Sequence, residues 1–259
     1  MTHKVFTEER HQKMLDFINS RERVKVEDLA KHFNVTETTI RRDLITLEKM
    51  GFIYRAHGGA FKREQQSIWQ LISLQTRLSQ YAEEKERIAL QVSLLIRDGE
   101  SLMIDGGSTT VKVTQKLCER KNLLVVTNAL TIGELFAGSN SNKVILTGGE
   151  LLRETNALTG NAAEYVISKY RADKAIIGVS GLIPSEGCFA AIPNEGAVKN
   201  LMLQNSREKI IVTDSSKIGV QAFYFFYDIK NIDILVTDKN IKKEDLSNLK
   251  KAGVEVFVV

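Results

Sequence analysis

Apolar residues recur with helical spacing in the first part of this chain and as short continuous runs in the rest. Over residues 7–33 the spacing predicts two helices, separated at 24–26 by an alternating run that is typical of a short strand. Residues 34–35 are expected to form the turn after the second helix. The pattern therefore predicts a small, mainly helical unit in the first part of the chain.

A third helix is predicted over 37–50, with Thr36 as its N-cap. At about 100° per residue its apolar residues share one face, whereas Thr38, Arg42 and Ile45 lie on the opposite face. A helix that follows a tight turn and begins with threonines and arginines is typical of a helix-turn-helix that enters the major groove of DNA. Arginine can bind a guanine edge or a phosphate, and a threonine hydroxyl can do either. The DNA contacts expected from this helix are Thr36, Thr38, Thr39, Arg41 and Arg42.

A β-hairpin is predicted after Gly51, which can end the third helix. The residues that follow are rich in strand-forming side chains around a diglycine, Gly58-Gly59, which suits a tight turn. Such a hairpin would be the wing of a winged helix-turn-helix. Arg55, His57 and the diglycine are then expected to touch the DNA backbone or the minor groove.

Short apolar runs alternate with helical stretches beyond Glu84, a pattern typical of a parallel sheet with covering helices. The runs are apolar throughout, as expected for strands that are buried on both faces. The predicted strands are 101–104, 123–126, 143–146, 174–178, 209–212, 232–236 and 254–258.

The segment between the two parts is polar and contains neither proline nor glycine, which favours a partly helical linker. The expected organisation is therefore a winged helix-turn-helix at 1–62, a linker at 63–84 and a larger, mostly parallel α/β unit at 85–259.

Glycines and hydroxyl residues follow several of the predicted strands. The segment DGGSTT at 105–110 follows the first strand, and DSSK at 214–217 follows a later one. The carboxyl ends of parallel strands gather at one edge of a sheet, where ligands bind. Glycines let backbone N–H groups approach an anion at a helix N-terminus, and lysine adds a charge. The pattern predicts an anion site at this edge, and the segment 105–110 suits a phosphate in particular.

Charge is distributed unevenly along the chain. Residues 1–62 carry 12 Lys and Arg against 9 Asp and Glu, whereas the remaining residues carry 24 against 23. A basic head suits a polyanion such as DNA. No segment approaches the roughly 18 apolar residues of a membrane span, so a cytoplasmic protein without a membrane partner is expected.

Several kinds of cofactor site are disfavoured. The chain contains neither GxxxxGK[ST] nor GxGxxG, so nucleoside triphosphates and dinucleotides are poor candidates. Cys118 and Cys188 show no CxxC spacing and have no histidine nearby, so no metal site is expected.

The run VKVEDLAKHFNVTETTIRRDLITLEKMGFIYRAHGGA at 24–60 resembles the DeoR family of bacterial regulators, whose head carries a TIRRDL recognition helix and an R-x-HGGA wing. The later segments EEKERIA, LMIDGGSTT, VVTNAL, LTGG, DKAIIGVSGL, NEGAVKNLM and TDSSKIG resemble the effector domain of that family, which is similar in fold to ribose-5-phosphate isomerase. The resemblance implies that the head binds DNA and that the larger domain binds a phosphorylated sugar.

Carried over from the family, the effector-binding residues are Asp105, Gly107, Ser108, Thr109, Thr110, Thr127, Asn128, Gly148, Gly149, Gly181, Glu195, Lys199, Asp214 and Lys217.

Many of these residues also have a purely structural interpretation. The glycines can serve turns, Asn128 can cap a helix, and Glu195 with Lys199 can form a surface pair. The sequence also departs from the family at 190–194, where AAIPN replaces a stretch that is usually rich in carboxylates. The selectivity side of the pocket is therefore not expected to follow the family pattern.

The leading hypothesis is a repressor of a carbohydrate uptake or catabolic operon that responds to a phosphorylated sugar. Binding as a dimer or tetramer is expected, because two heads on a two-fold axis add their contacts on operator half-sites about 34 Å apart or a multiple of that. An activator with the same effector site is an alternative. A sugar-phosphate isomerase is disfavoured, because the D-G-A-D segment of that enzyme has no counterpart where the strand ends at 178–181.

Overall fold

The computed structural model describes residues 7–21, 23–49, 53–56, 58–62 and 74–259. The chain divides into two units, Met1–Ile72 and Ser73–Val259. None of the helices within the described residues is long and apolar enough to cross a lipid bilayer.

The first unit combines three helices with a three-stranded antiparallel sheet. Its elements are α1 (Thr7–Asn19), β1 (Arg23–Lys25), α2 (Val26–Phe33), α3 (Glu37–Lys49), β2 (Ile53–Ala56) and β3 (Gly59–Lys62). The strands pair in the order β1-β3-β2, so the hairpin of β2 and β3 lies beside the short strand between the helices. The winged helix-turn-helix that the sequence predicts is confirmed over the described residues, whereas Met50, Gly51 and His57 lie outside them.

The core of the first unit is made from the apolar stripes of its helices. Met14 and Ile18 of α1 are fully buried, as are Leu29 of α2 and Ile40 of α3. Asn34 ends α2 in the left-handed conformation, with φ of 52°, which turns the chain sharply into α3. The buried stripe of α3 therefore fixes which of its faces points outward.

The second unit, described from residue 74 onward, contains seven helices of six to thirteen residues and twelve strands. The helices are α4 (Leu74–Ser79), α5 (Ala82–Leu94), α6 (Ser108–Leu117), α7 (Leu130–Ala137), α8 (Asn161–Ser168), α9 (Pro193–Gln204) and α10 (Lys243–Lys251), with single 3-10 turns at Ser215–Lys217 and Ile229–Asn231. The strands are β4 (Ser101–Ile104), β5 (Leu124–Thr127), β6 (Lys143–Leu146), β7 (Glu150–Leu152), β8 (Ala157–Thr159), β9 (Ala172–Gly178), β10 (Gly181–Ile183), β11 (Gly187–Ala190), β12 (Ser206–Val212), β13 (Tyr224–Asp228), β14 (Ile234–Thr237) and β15 (Glu255–Val258).

A seven-stranded sheet organises this unit, in the order β15-β14-β12-β9-β4-β5-β6, with every neighbouring pair parallel. Successive residues of one strand enter different cores, since Ile176 packs with α5, α6 and α7 whereas Ile177 packs with α8, α9 and α10. All seven predicted strands overlap the strands of this sheet. The predicted fold class, a winged helix-turn-helix with a mostly parallel α/β domain, is confirmed.

Two smaller antiparallel sheets were not predicted from the sequence. Strands β10, β11 and β13 form one of them, and β7 pairs with β8 in the other. Four of these five strands have only three or four residues, and Gly181 and Gly187 begin two of them. Short runs that open on glycine lack the continuous apolar signal that identified the parallel strands.

The later part of the predicted linker belongs to the second unit. α4 is joined to this unit by a hydrogen bond from the backbone N–H of Leu74 to the carbonyl of Glu154, at 2.9 Å. Leu78 of α4 packs against the apolar cluster that contains Ile88 of α5. Residues 63–73 of the predicted linker lie outside the described part of the chain.

Candidate functional site

The outward face of α3 carries the side chains predicted to contact DNA. Thr38, Arg41 and Arg42 are exposed, while the apolar stripe of the helix is buried in the core of the first unit. Thr36 caps the helix, since its hydroxyl accepts a hydrogen bond from the N–H of Thr39 at 3.2 Å. The cap and the buried stripe together hold the exposed side chains in one orientation.

The two arginines of α3 make few interactions within the protein that DNA binding would have to replace. Arg41 Nη2 donates to the Glu37 carboxylate at 2.6 Å, and the two side chains are 57% and 43% exposed. An exposed pair at this spacing contributes only about 0.3–0.5 kcal/mol, so DNA can replace Glu37 at small cost. The Arg42 guanidinium forms no hydrogen bond or ion pair with the described residues.

A buried carboxylate joins α3 to α1. Asp43 Oδ2 accepts a hydrogen bond from Arg10 Nε at 2.7 Å, and its Oδ1 lies 3.1 Å from Arg10 Nη2 and 3.0 Å from His11 Nε2. Burial raises the pKa of Asp43, but the hydrogen bonds from Arg10 and His11 outweigh it, so the pKa lies below its usual value. We call these three residues the Asp43 clamp; it fixes α3 against α1 immediately after the arginines.

The wing places its diglycine against the short strand β1. Gly58 has φ of 87°, and its carbonyl accepts a hydrogen bond from the N–H of Val26 at 3.0 Å. A Cβ on Gly59 would collide with the carbonyl of Val24. Both glycines are thus required by the wing itself. Arg55 lies in β2, and its contact with DNA remains a prediction, as does that of His57.

In the second unit, some of the predicted effector residues satisfy backbone groups at the ends of the strands. The Thr110 hydroxyl donates to the carbonyl of Asp105, and the Thr127 hydroxyl donates to the carbonyl of Ile104, both at 2.7 Å. Both threonines are fully buried. Their hydroxyls therefore hold the loop after β4 in shape.

Asn128 has a similar role. Its side-chain oxygen accepts a hydrogen bond from the N–H of Gly106 at 3.2 Å, and its amide nitrogen donates to the carbonyl of Leu158 at 3.0 Å. The side chain thus ties the loop after β4 to β8. Asn128 therefore holds the backbone of the predicted phosphate loop in place.

Asp105 and Lys199 form a buried ion pair. Lys199 Nζ donates a hydrogen bond to Asp105 Oδ2. It also donates to the carbonyl of Gly178 at 2.9 Å. The N–H of Gly178 in turn donates to Asp105 Oδ1 at 2.8 Å. The surface pair between Glu195 and Lys199 that the sequence allowed is therefore wrong, because Lys199 turns inward to Asp105. This pair fastens α9 to the ends of β4 and β9.

The N-terminus of α6 forms the later part of the predicted phosphate loop, and the whole loop is buried. Gly107 is its N-cap residue, and no side chain caps the helix. Ser108 and Thr109 are each 7% exposed, and their hydroxyls form no side-chain hydrogen bond within the described chain. The first N–H groups of a helix have no partner within the helix. A helix N-terminus without a side-chain cap can bind an anion.

Asp214 and Lys217 lie on the 3-10 turn after β12. Asp214 caps that turn, accepting hydrogen bonds from the N–H of Ser216 at 3.2 Å and from the Ser216 hydroxyl. Lys217 is partly exposed, and its ammonium group forms no hydrogen bond or ion pair with the described residues. The carboxylate shapes the turn, and the ammonium group is free to bind an anion.

Three predicted glycines are required by the backbone. Gly148 and Gly149 have φ of 67° and 118°, and a Cβ on Gly149 would collide with the carbonyl of Thr159. A Cβ on Gly181 would collide with the carbonyl of Val220. These close approaches explain the residue type without any ligand.

Arg77 and Glu195 provide the least expected feature of this edge. Arg77 Nε and Nη2 and Glu195 Oε1 are buried atoms that have no hydrogen-bond partner among the described residues. Burial lowers the pKa of Arg77, whereas the charges of Glu195 and Asp105 raise it. Buried polar atoms are satisfied in most proteins, and leaving one unpaired costs about 1–3 kcal/mol. The unpaired groups are what a polar ligand would need.

Lys85 of α5 supplies a further buried cation beside the same groups. Its ammonium donates to the carbonyls of Arg77 and Gln80, both at 2.5 Å, and its side chain is 3% exposed. Burial lowers its pKa to about 8, an effect that Asp214 opposes and Lys217 reinforces. The charges of four predicted effector residues thus act on these two cations: Glu195 and Asp105 on Arg77, and Asp214 and Lys217 on Lys85.

A cleft of about 520 Å³ lies beside the loop after β6. Its walls include Gly149 and Asn194 together with the carboxylates Glu150 and Glu164. Two carboxylates suit an anion poorly. Of the predicted effector residues only Gly149 lines it.

Comparison with known families identifies both units. Residues 10–66 match the model of the DeoR-like helix-turn-helix domain, and residues 80–239 match the model of the DeoR C-terminal sensor domain. The chain belongs to the DeoR family. The resemblance inferred from the sequence motifs is thus confirmed, and with it the interpretation of the protein as a DNA-binding regulator rather than an enzyme.

Relatives of this DeoR-family regulator cover nearly the whole chain. The HTH-type transcriptional repressor GlcR of Bacillus subtilis is 33% identical over 98% of this chain and 97% of its own length. The glycerol-3-phosphate regulon repressor of Escherichia coli is 34% identical, over 89% of this chain and 90% of its own length.

Among solved structures, ribose-5-phosphate isomerase A of Neisseria gonorrhoeae aligns with 53% of this chain and 53% of its own, with a TM-score of 0.39 and 17% identity.

Arg77 and Lys85 of this DeoR-family regulator are site candidates that sequence reasoning missed. Lys85 carried a signal, because it shares one stripe of α5 with Ile88, Ala89 and Val92 at helical spacing. A lysine in an apolar stripe is costly unless it has a use. Arg77 lay in the segment assigned to the linker and carried no comparable signal.

Proposed function

We propose that this DeoR-family regulator represses an operon for carbohydrate uptake or catabolism and responds to a phosphorylated sugar bound at the carboxyl edge of its parallel sheet. The observation that carries the effector site is the set of unpaired buried groups on Arg77 and Glu195, beside the cations Lys85 and Lys217. The names of the relatives support repression: one is a transcriptional repressor and another represses the glycerol-3-phosphate regulon.

The groups at this edge suit the two parts of a sugar phosphate. A phosphate would accept hydrogen bonds from the first turn of α6 at Ser108 and Thr109 and from Lys217, where the helix dipole favours negative charge. The unpaired Glu195 carboxylate oxygen would accept a hydrogen bond from a sugar hydroxyl. Arg77 would donate either to the phosphate or to a sugar hydroxyl that lies between the phosphate and Glu195.

α4 provides a physical route from the effector to the head. It carries Arg77, and it is the first described element after the segment that follows the wing. Lys85 holds the end of this helix through two backbone carbonyls. An effector that draws Arg77 and Lys85 toward its charge would displace α4. A coupling of about 1–3 kcal/mol would change operator affinity roughly 5- to 150-fold.

We also propose that the protein acts in the cytoplasm as a homo-oligomer, a dimer or a tetramer. A helix-turn-helix head of this size reaches only a short stretch of DNA. Two heads related by a two-fold axis add their contacts on a palindromic operator. Oligomerisation also lets one effector-driven change alter the spacing of the heads.

Lys217→Ala tests the effector site. We expect this variant to lose the thermal stabilisation that a phosphorylated sugar confers and to lose release from the operator, while its effector-free operator affinity is unchanged. Thermal-shift screening of phosphorylated hexoses, pentoses and polyols, followed by gel-shift titration, measures both. Lys230→Ala is a matched control, because Lys230 lies on the other 3-10 turn, which is likewise capped by an aspartate. A normal dose response from Lys217→Ala would place the phosphate elsewhere.

The pH dependence of effector binding tests Lys85. Because burial lowers its pKa to about 8, the ammonium charge is present below that pH and is lost above it. Effector affinity is expected to fall above about pH 8, approaching tenfold per pH unit, and binding at pH 8 should take up protons. Calorimetry between pH 7.5 and 9.5 avoids the second ionisation of the phosphate, near 6. Lys85→Met should bind weakly with little pH dependence; a falling profile in that variant would contradict the assignment.

A further inference from the structure

Ile45 is an apolar residue on the outward face of α3. It is 38% exposed, and no other large apolar side chain described in the first unit is exposed to this degree. The buried stripe of the helix, at Ile40, Leu44 and Leu47, is complete without it. The core therefore gives no reason for isoleucine at this position.

The position of Ile45 relates it to the predicted DNA contacts. At about 100° per residue it lies roughly 20° from Thr38 and about 40° from Arg41 around the helix axis. It is about 10 Å along the axis from Thr38 and about 6 Å from Arg41. The three side chains thus form one exposed row, in which Ile45 alone has no hydrogen-bonding group.

The chemistry of the major groove contains one partner for such a side chain. Base edges there present hydrogen-bond donors and acceptors, with the C5-methyl group of thymine as the apolar exception. An isoleucine brought against a donor or acceptor would leave that group unsatisfied, at a cost in affinity. Against a thymine methyl it would bury apolar surface on both sides. The residue therefore favours one base over the others.

We propose that Ile45 is a specificity-determining residue, which reads a thymine in each operator half-site by packing against its C5-methyl group. The inference rests on DNA binding through the outward face of α3. It adds a base preference that the polar residues of that face do not supply. The thymine lies next to the base pairs contacted by Thr38 and Arg41.

Deoxyuridine substitution tests this directly, because it removes the methyl group and leaves every hydrogen-bonding atom in place. An operator is first obtained by selection from random duplexes with the full-length protein. Each thymine is then replaced singly by deoxyuridine. For the unaltered protein we expect one position per half-site at which affinity falls about three- to tenfold, in line with the burial of one methyl group.

The variants assign that position to the side chain. Ile45→Ala should bind the thymine and deoxyuridine operators equally at that position, whereas Ile45→Val should keep part of the difference. Arg42→Ala is the control: its overall affinity should fall, but the deoxyuridine penalty should remain. Because Ile45 is exposed, its replacement is not expected to unfold the head.

Two results would overturn the proposal. Either no deoxyuridine substitution lowers affinity, or the penalty persists undiminished in Ile45→Ala. In both cases the unaltered protein would still bind its operator tightly, so failure of this inference is distinguishable from failure of DNA binding by α3.

Discussion

Replacing Arg77 with methionine is expected to abolish the response to the phosphorylated sugar while leaving effector-free operator binding intact. Two buried nitrogens of the guanidinium have no hydrogen-bond partner within the described part of the chain, and burial already lowers its pKa. Hydrogen bonds to a charged group contribute about 1.5–3 kcal/mol each. Loss of two such bonds to the effector would weaken its binding by about 3 kcal/mol or more, which is roughly 100-fold. Calorimetric titration and operator release measure the two parts of this expectation.

The stability of the same variant separates a ligand-binding role from a structural one. A structural arginine stabilises the fold, so its removal lowers the free energy of unfolding. The surroundings of Arg77 disfavour its charged form, since burial outweighs the attraction of Glu195 and Asp105. Arg77→Met should therefore leave the free energy of unfolding unchanged or raise it, the usual exchange of stability for function.

Two further variants define the outcome for Arg77. Arg77→Lys keeps the charge but not the planar fork, so we expect partial recovery of effector binding. Arg97→Met removes an exposed arginine of the same unit and should change neither binding nor stability. A lowered free energy of unfolding in Arg77→Met, or a normal dose response, would remove Arg77 from the effector site.

The architecture of this protein was largely accessible from its sequence because most elements carry one dominant signal. The strands of the parallel sheet are buried on both faces and appear as unbroken apolar runs, such as Ala175 to Ile177 in β9. α3 shows its cap, its buried stripe and its polar face within a dozen or so residues. The small antiparallel sheets gave no such signal, since their strands are short and open on glycine.

The sequence could not show which of the predicted effector residues bond to the protein itself and which are left to contact a ligand. Asp105, Thr110 and Thr127 have the residue types of ligand contacts, yet they bond to protein groups. Whether a polar side chain faces a ligand or a backbone carbonyl depends on its neighbours in space. Lys199, for example, turns to Asp105, 94 residues away, and not to Glu195 on its own helix.

Sequence reasoning missed Arg77 for the opposite reason, because nothing in its sequence surroundings suggests a buried position. In sequence it is one charged residue in a polar segment, and a solvated surface position is the natural interpretation. The helix that carries Arg77 is held in the second unit by long-range contacts, including the hydrogen bond that joins Leu74 of α4 to Glu154. Unpaired buried groups become visible only when every hydrogen bond around them has been assigned.

Asp43→Asn is expected to unfold the head and so to remove operator binding altogether. The Asp43 clamp is mostly buried: the side chains of Asp43, Arg10 and His11 are 7%, 12% and 15% exposed. Removing one member of a buried ion pair costs about 3–5 kcal/mol, and the partly exposed partners reduce this to about 2–4 kcal/mol. A domain of about 60 residues has only a few kcal/mol of stability to lose.

Hydrogen exchange on the full-length protein measures this effect in each unit separately. Asp43→Asn should remove the protection of α1 and α3 while the parallel sheet stays protected. Glu37→Gln is the matched control, because it removes the exposed ion pair to Arg41 on the same helix and should cost only about 0.3–0.5 kcal/mol. Protection of α1 and α3 that survives in Asp43→Asn would show that the clamp does not hold the head together.

Acid gives an independent measurement of the same interaction. The pKa of Asp43 is lowered from 3.8 in the folded head, so the clamp contributes its full stability above pH 3.8. That contribution is lost as the pH falls below 3.8 and through the lower folded-state pKa, when the carboxylate is protonated. The head of the unaltered protein should therefore lose stability over this range and approach the unfolded state already expected for Asp43→Asn. A head whose stability does not fall over this range would mean that the apolar core alone holds the recognition helix in place.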